Sequence, residues 1–329
     1  MKYIIIFFTI ILLFYVSLWV ASRKTYPIKF GISFNHNHAE SMGLDWREVY
    51  TDMLEELKPE YIRIAAMWSE VEREKGVYDF EKVDWMMQKA QENNAKVVLV
   101  VGQKAPRWPE CHVPGWINDD GETGAREHLF GYIEQTVNRY KDNSALEFWQ
   151  VENEPFIKFR FGECSKYRED YVVEEIQFVR DRDANHPIIL TDSGELSSWR
   201  KAIKYADYFG TTLYRVVRQP DGGIFDYDWM PPAVYRFKAM LWGQEIDKMF
   251  VSELQAEPWF VSSNAADTPI EIQEQTMNPT RLREHMDYVE KIGVPRAYLW
   301  GVEWWYWVKE ARGDSRYWNM VKNEIGGAK

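Results

Sequence analysis

The feature that most constrains the fold is an alternation of short apolar runs with amphipathic stretches, repeated from Ile28 onward. The apolar runs have the length and the β-branched and aromatic content of strands. The eight runs are 28–34, 61–65, 96–101, 146–151, 187–191, 208–213, 249–252 and 296–300. No Pro- or Ser-rich linker interrupts the series. Eight strand–helix repeats predict an α/β fold, a single-domain (β/α)8 TIM barrel over residues 25–329.

The stretches between the runs carry helical spacing and recognisable helix starts. Apolar side chains from Trp46 to Leu57 fall on one helix face, and Asp45 directly before them suits an N-cap. Asp79 precedes a predicted helix that runs to about Asn94. The chain length of 329 residues suits one barrel, although length alone would also permit two domains.

The amino terminus differs in kind from the rest of the chain. Residues 3–20 contain no charged side chain. This uncharged segment of 18 residues is at the lower limit of length for a membrane span and is longer than a usual signal-peptide core. Cleavage after Ser22 is an alternative, and Arg23 and Lys24 argue weakly against a simple inside-to-outside orientation. We expect an exported protein in which residues 1–24 are a signal peptide or membrane anchor. It is then either anchored facing the extracytoplasmic side or secreted.

Charge and cysteine content narrow the partners. The chain has 40 basic and 51 acidic residues, and no basic stripe, which argues against nucleic acid. Cys111 and Cys164 fit one disulfide of an exported protein, with free buried thiols as the open alternative. His36 and His38 lack a matching third ligand, so a polar loop edge or a sugar contact is favoured over a metal site. We expect no cofactor, no metal and a monomer.

Two glutamates stand where predicted strands end. Glu154 follows the fourth run and Glu253 follows the seventh, and loops after the strands build the active site of a TIM barrel. Glycoside hydrolysis needs such a carboxyl pair, one for the leaving oxygen and one for the sugar carbon. We predict Glu154 as the general acid/base and Glu253 as the nucleophile. Glu257, farther from the strand, is the less rigidly held alternative nucleophile.

Three further side chains are predicted to support this pair. Asn153 would donate to the sugar hydroxyl beside the reacting carbon, but strand alternation points it away from Glu154 unless the chain turns. Arg63 lies inside an apolar run and needs a carboxylate partner, for which Glu253 is the natural choice. Tyr214, after the sixth run, either hydrogen-bonds the same carboxylate or packs in the core.

Seven short segments together resemble clan A glycoside hydrolases, a group that includes xylanases, cellulases and β-galactosidases. The segments occur in the family's order from about Ile28 to the carboxyl end. They are WSEVE at 68–72, GVYDF at 76–80, VVGQ at 100–103, PRWP at 106–109, WQVENEP at 149–155, VSEL at 251–254 and WGVEWW at 300–305. The resemblance implies a retaining mechanism through a covalent glycosyl-enzyme, with carboxyls about 5 to 5.5 Å apart. It also implies that Trp300 floors the sugar site.

Other candidate sugar contacts follow the strands. Trp304 and Trp108, with Trp116 and Trp259, are candidates for stacking on sugar rings, although large aromatics also fill cores. Gln103 is a further substrate-binding candidate. It stands where several of these families place a histidine, and Tyr214 stands where some have one. These departures prevent assignment to a substrate family.

The sequence therefore predicts a retaining glycoside hydrolase that cleaves β-linked oligo- or polysaccharides. A transglycosylase would use the same residues with a sugar acceptor in place of water. A catalytically inactive glycan-binding barrel is the alternative from another class. A membrane receptor or scaffold would explain residues 3–20 but not the strand-end glutamates.

Overall fold

A computed structural model describes residues 1–119, 121–158, 162, 164, 167–219, 221–260 and 265–326. Eight parallel strands close into a barrel in the order β1-β10-β9-β6-β5-β4-β3-β2. The strands of the barrel are β1 (Lys29–Ser33), β2 (Tyr61–Ala65), β3 (Lys96–Val101), β4 (Leu146–Val151), β5 (Ile188–Asp192), β6 (Tyr208–Leu213), β9 (Met249–Gln255) and β10 (Arg296–Trp300). The predicted (β/α)8 barrel is confirmed.

Apart from the first, which precedes β1, the helices follow the strands in turn and cover the outside of the barrel. They are α1 (Lys2–Ala21), α2 (His36–Ser41), α3 (Trp46–Asp52), α4 (Trp68–Val71), α5 (Glu81–Glu92), α6 (Gly121–Tyr140), α7 (Val172–Arg182), α8 (Arg200–Tyr205), α9 (Ala233–Leu241), α10 (Ile270–Gln273), α11 (Pro279–Glu290), α12 (Val302–Arg312) and α13 (Arg316–Gly326). The side chain of Asp45 accepts the N–H of Arg47 at 2.9 Å, which confirms its predicted role as the cap of α3.

The strand bounds follow the predicted apolar runs closely, with two differences. A short antiparallel hairpin, β7 (Val216–Arg218) and β8 (Ile224–Asp226), lies between β6 and α9 and was not predicted. In addition, β9 runs on to Gln255, so Glu253 lies inside the strand instead of after it. The sequence predicted a strand end at Glu253 because its side chain is charged. The strand continues because Arg63 and Tyr214 bind this carboxylate inside the barrel.

The barrel interior changes from apolar to polar along the strands. A cluster of apolar side chains fills the part nearer the amino-terminal ends: Tyr61, Val98, Phe148, Ile189, Phe250 and Tyr298. Two residues further along three of these strands, on the same face, come Arg63, Gln150 and Thr191. The period of two thus explains why an arginine interrupts the apolar run of β2.

Helix α1 stands apart from the barrel's core. By length and composition it could cross a membrane. Its carboxyl end touches α9: Ser22 Oγ accepts the N–H of Ala233 at 2.9 Å, and the rings of Phe14 and Phe237 lie 5.0 Å apart. The helix therefore packs against the barrel domain through these contacts.

Candidate active site

A cleft of about 330 Å³ opens at the carboxyl ends of the strands. Its described walls come from the loops after β3, β4 and β5, from β6 and the hairpin that follows it, and from β9 and the loop after it. The lining residues are Trp108, Glu110, Glu154, Gly162, Ser193, Glu195, Leu196, Thr212, Tyr214, Val217, Tyr227, Glu253 and Trp259. Both predicted catalytic glutamates thus face one cavity, at the end of the barrel where TIM-barrel sites lie.

Glu253 is aimed into the cleft by an irregularity in β9. Thr211 pairs with Val251 but Thr212 pairs with Glu253, so one extra residue is inserted at Ser252. A bulge of this kind re-aims the side chain that follows it. Without it, strand alternation would turn Glu253 out of the barrel, because Ser252 already faces inward.

The Glu253 carboxylate is held from two sides. Nη1 of Arg63 donates to its Oε1 at 2.9 Å, and the hydroxyl of Tyr214 donates to Oε2 at 2.8 Å. The predicted contact between Arg63 and Glu253 is present, and of the two alternatives for Tyr214 the structure has the hydrogen bond to this carboxylate. Arg63 is almost fully buried, and its pairing satisfies a charge that would otherwise be costly in the barrel interior.

Arg63 also reaches across the barrel to β4. Its Nε donates to Gln150 Oε1, and its Nη2 donates to Asn153 Oδ1, each at 2.8 Å. Gln150 was not singled out from the sequence, since a glutamine in an apolar run has many ordinary explanations. Its position two residues after the inward-facing Phe148 is the signal that could have found it.

The backbone turns sharply after β4, as the use of both Asn153 and Glu154 requires. Glu152 and Glu154 have φ values of 62° and 44°, in the left-handed region that non-glycine residues rarely adopt. Such conformations persist only where surrounding contacts hold them. Here the N–H of Glu154 donates to Thr191 Oγ1 at 2.9 Å.

Glu154 lies in surroundings that favour its protonated form. Burial raises its pKa well above the usual value, and the negative charges of Glu253 and Glu110 raise it further. Lys104 opposes the shift. The closest described polar contact of the carboxyl is neutral: Thr212 Oγ1 donates to Oε1 at 3.1 Å.

Two further carboxyls in the cleft were not predicted. Burial raises the pKa of Glu110 to about 7, although Lys104 opposes the shift. Burial likewise raises the pKa of Glu195 to about 7, against a hydrogen bond of 2.6 Å from Tyr235. Both stand in loops, where no strand pattern marks them. For Glu110, the neighbouring Cys111 and its predicted disulfide to the loop of Glu154 could have indicated a place near the active site.

Cys111 and Cys164 form a disulfide, as one of the two sequence readings proposed. Their Cα atoms lie 5.1 Å apart. The bond joins the loops after β3 and β4, which carry Glu110 and Glu154. It thus links two walls of the cleft.

Gln103 lies beneath the cleft instead of lining it. It is almost fully buried, and its N–H donates to Oε1 of Glu152 at 2.7 Å, next to the N–H of Lys104 at 2.5 Å. Glu152 packs so closely that a Cβ on Gly102 would come 2.5 Å from its carboxyl carbon. The side-chain Oε1 of Gln103 is buried without a hydrogen-bond partner among the described residues, and its predicted sugar contact stays a prediction.

The predicted stacking tryptophans divide into three groups. Trp108, which is mostly exposed, and Trp259 line the cleft. Trp116 packs on the rings of Trp68 and His128. Trp304 was wrongly predicted as a sugar contact, because α12 turns it into the core. It is fully buried, with its ring centroid 4.5 Å from that of Tyr317.

Trp300 lies at the end of β10 but is covered. The guanidinium carbon of Arg107 lies 4.1 Å from the centroid of its indole ring. Arg107 is in turn bound by Glu257 and Glu303. Among the described residues that line the cleft Trp300 does not appear, so the predicted sugar floor is occupied by a side chain of this protein.

His36 and His38 stand at the β1 side of the barrel mouth. His36 is buried, and burial lowers its pKa to about 3. His38 Nε2 lies 3.6 Å from Glu257 Oε2. Both histidines lie in α2 and not in a loop, and His38 faces the carboxylate first considered as a rival to Glu253. Their predicted sugar contact stays a prediction.

A closed eight-stranded barrel with a carboxyl-lined cleft at the carboxyl ends of its strands is the architecture of clan A glycoside hydrolases. Residues 19–205, more than half of the chain, match the model for glycosyl hydrolase family 10. The chain belongs to this family. The matched segment includes Glu154 and ends before Glu253.

Known proteins agree with this assignment at the level of fold. Mannan endo-1,4-beta-mannosidase A of Hypocrea jecorina is 26% identical over 157 residues, which are 44% of this chain and 34% of that protein. The match thus spans about a third of that relative's length. Among solved structures, xylanase 10B of Thermotoga petrophila has a TM-score of 0.54 at 17% identity, covering 92% of this chain and 95% of that chain. The β-galactosidase of Halorubrum lacusprofundi has a TM-score of 0.57 at 15% identity, covering 83% and 52%.

Proposed function

We propose that this chain is a retaining glycoside hydrolase that cleaves β-linked bonds, with Glu154 as acid/base and Glu253 as nucleophile. The observation that carries the proposal is the contrast between the two carboxyls. Glu253 is held by an arginine and a tyrosine hydroxyl, whereas burial and nearby negative charge raise the pKa of Glu154. One carboxyl ionised and one protonated is the combination that the reaction needs.

The reaction has two steps. In the first, Glu253 attacks the sugar carbon while Glu154 gives its proton to the leaving oxygen, and a covalent glycosyl-enzyme forms. In the second, Glu154 takes a proton from water, and the water oxygen displaces Glu253 from the sugar carbon. Asn153, with its Oδ1 bound to Arg63, keeps its amide donors for a sugar hydroxyl or Glu110. Tyr214 orients the nucleophile.

The substrate class is proposed from the relatives. The relatives reported above are a mannan endo-1,4-beta-mannosidase, a xylanase and a β-galactosidase. Neutral sugars fit the cleft, whose described lining carries four glutamates and no arginine or lysine. A sugar carboxylate would find no basic partner among these lining residues.

We also propose that residues 1–24 anchor an exported catalytic domain, residues 25–329. The apolar helix α1 and the disulfide between Cys111 and Cys164 support this arrangement. The packing of Ser22 and Phe14 on α9 favours a retained helix over a removed one.

The test is turnover of aryl β-glycosides and β-linked polysaccharides, followed by trapping with a 2-deoxy-2-fluoro glycoside. We expect hydrolysis with retained anomeric configuration and a covalent label on Glu253. A Glu257→Gln variant is the matched control and should still be labelled. A label on Glu257, or inverted product, would contradict the assignment. Products with longer sugar chains would instead identify a transglycosylase, and binding without turnover a glycan-binding barrel.

A further inference from the structure

We propose that Arg107 closes the glycone side of the cleft, so that the enzyme accepts a single sugar unit there and acts at chain ends. This inference rests on the proposed function, since it assumes that Glu154 and Glu253 act on a glycosidic bond. It assigns a specificity-determining role to a residue that takes no part in the chemistry.

Arg107 is fixed in place by two carboxylates. Its Nη1 and Nη2 both donate to Glu257, the second at 2.9 Å, and Nη2 also reaches Glu303 Oε2 at 3.1 Å. All three side chains are largely buried. Although burial raises the pKa of Glu257, the charge of Arg107 lowers it to about 2. A paired guanidinium of this kind is firmly held, because releasing it would leave buried charges unpaired.

The guanidinium occupies the surface that a sugar would use. It lies 4.1 Å from the ring centroid of Trp300, a distance typical of a cation–π contact. An aromatic face can stack on one partner at a time. A sugar ring can therefore use this face of Trp300 only if Arg107 leaves it.

The position of Trp300 in the barrel identifies the blocked side. In the circular strand order, β10 lies opposite β4, which carries Glu154, and next to β9, which carries Glu253. The leaving group must lie beside the acid that protonates it. The glycone, bonded to Glu253 during the reaction, therefore extends from β9 away from β4, toward β10 and β1. Arg107 stands in that direction.

The loops behind Arg107 complete the wall. Oε1 of Glu303 accepts the N–H of Asn35 at 2.6 Å, and Nδ2 of Asn35 donates to the carbonyl of Pro106 at 3.2 Å. These bonds tie the loops after β1 and β3 to the start of α12. The open cleft is lined mainly from β4, β5, β6, β9 and the loops that follow them, and the loop after β3 contributes Trp108 and Glu110.

The backbone conformations of Gly301 and Arg107 allow Arg107, Glu257 and Glu303 to come together. Gly301 has a φ of 147°, and a Cβ there would come 2.8 Å from the Cβ of Glu257. Only glycine at this position lets Glu257 approach β10 closely enough to hold Arg107. Arg107 itself has a φ of 91°, another conformation that its contacts must maintain.

The charges in this group argue for a wall instead of a receptor for acidic sugars. Two carboxylates surround one guanidinium, and they already accept its Nη donors. An anionic sugar would meet an excess of negative charge. The effect on a neutral glycone is therefore steric.

The experiment compares 4-nitrophenyl β-glycosides that carry one or two sugar units, using xylose, mannose and galactose series. We expect the wild-type kcat/KM for the monosaccharide to equal or exceed that for the disaccharide. Arg107→Ala should raise the disaccharide-to-monosaccharide ratio at least about 10-fold, because one blocked sugar contact is worth on the order of a factor of ten or more. Arg126→Ala is the matched control, since Arg126 pairs with Glu174 and stacks on Phe130 at an exposed site.

Each result separates this inference from the proposed function. If the wild type prefers the disaccharide by 10-fold or more, or if Arg107→Ala changes both substrates equally, the inference is overturned while the function stands. If neither the monosaccharide nor the disaccharide glycoside is hydrolysed and no fluorosugar labels the protein, the inference and the proposed function are both overturned. Arg107→Ala combined with Glu257→Gln removes one of the unpaired buried carboxylates, should the single variant fold poorly. The wild-type preference is measured in any case.

Discussion

Glu154 and Glu253 share one cleft but differ in their nearest hydrogen-bond donors. Nη1 of Arg63 and the hydroxyl of Tyr214 donate to the carboxylate of Glu253. Glu154 receives one hydrogen bond from a threonine hydroxyl, and burial raises its pKa. The division of roles between two identical side chains thus follows from their surroundings.

Replacing Glu154 by Gln should affect substrates according to their leaving group. Poor leaving groups need the proton of Glu154, and we expect kcat to fall by about 10²–10⁴. A 2,4-dinitrophenyl glycoside needs no protonation, so the first step should be nearly retained and the covalent intermediate should accumulate. Measurement of burst kinetics and of intact mass checks this. Equal losses for both kinds of substrate would assign the acid elsewhere.

Replacing Glu110 by Gln should shift the alkaline side of the pH–activity profile to lower pH. The negative charge of Glu110 raises the pKa of Glu154, so its removal lowers that pKa. The protonated acid is then lost at lower pH, and kcat/KM falls earlier as the pH rises. Glu70→Gln, outside the described lining of the cleft, is the control and should leave the profile in place. A shift to higher pH would contradict the expectation.

At the scale of elements, strand bounds were predictable and side-chain directions near strand ends were not. Apolar runs reproduced β2, β3, β4, β6 and β10 residue for residue, because strands buried on both faces form nearly continuous apolar runs. The inserted residue at Ser252 and the left-handed backbone of Glu154 depend on pairing partners far along the chain. No local pattern records such partners. Trp304 was misplaced for the same reason, since the direction of α12 comes from packing.

The pair of buried glutamates between β4 and α7 provides a test at this scale. Glu152 and Glu175 are both fully buried, and burial raises the pKa of Glu175 well above its usual value, with the charge of Glu152 adding to the shift. A carboxyl whose pKa is raised in the folded state favours folding in acid. That contribution is lost as the pH rises above the unfolded pKa toward the folded pKa.

Glu175→Gln should therefore raise the melting temperature more at pH 8 than at pH 5. We expect a difference between the two pH values of roughly 2 to 4 °C, equivalent to about 1 kcal/mol. Glu174→Gln is the matched control, because Glu174 is exposed and pairs with Arg126 at the surface. A larger gain at pH 5 than at pH 8 would show that Glu175 is ionised in the folded protein.

At the scale of the whole molecule, α1 is a helix that could cross a membrane and that also contacts the barrel domain. The hydroxyl of Tyr15 donates to the carbonyl of Trp229 at 2.5 Å, and Arg236 donates to the carbonyl of Ala21 at 2.7 Å. A helix that is to be removed would gain nothing from such contacts with the folded domain. Together they favour a short, stiff connection between anchor and enzyme over a flexible stalk.

The full chain should therefore sediment with membranes after export and should be released by detergent but not by high salt. A double substitution, Ile11→Arg and Leu12→Arg, should abolish this association, because each arginine near the centre of a span costs about 2.5–3.5 kcal/mol on insertion scales. Val77→Arg, at an exposed apolar position of the barrel domain, is the control and should stay with the membrane. Cell fractionation with amino-terminal sequencing of the mature protein measures both association and processing. A soluble extracytoplasmic protein that begins near Thr25 would show that the helix is a cleaved signal peptide, and the contacts of Tyr15 and Arg236 would then have no part in the mature enzyme.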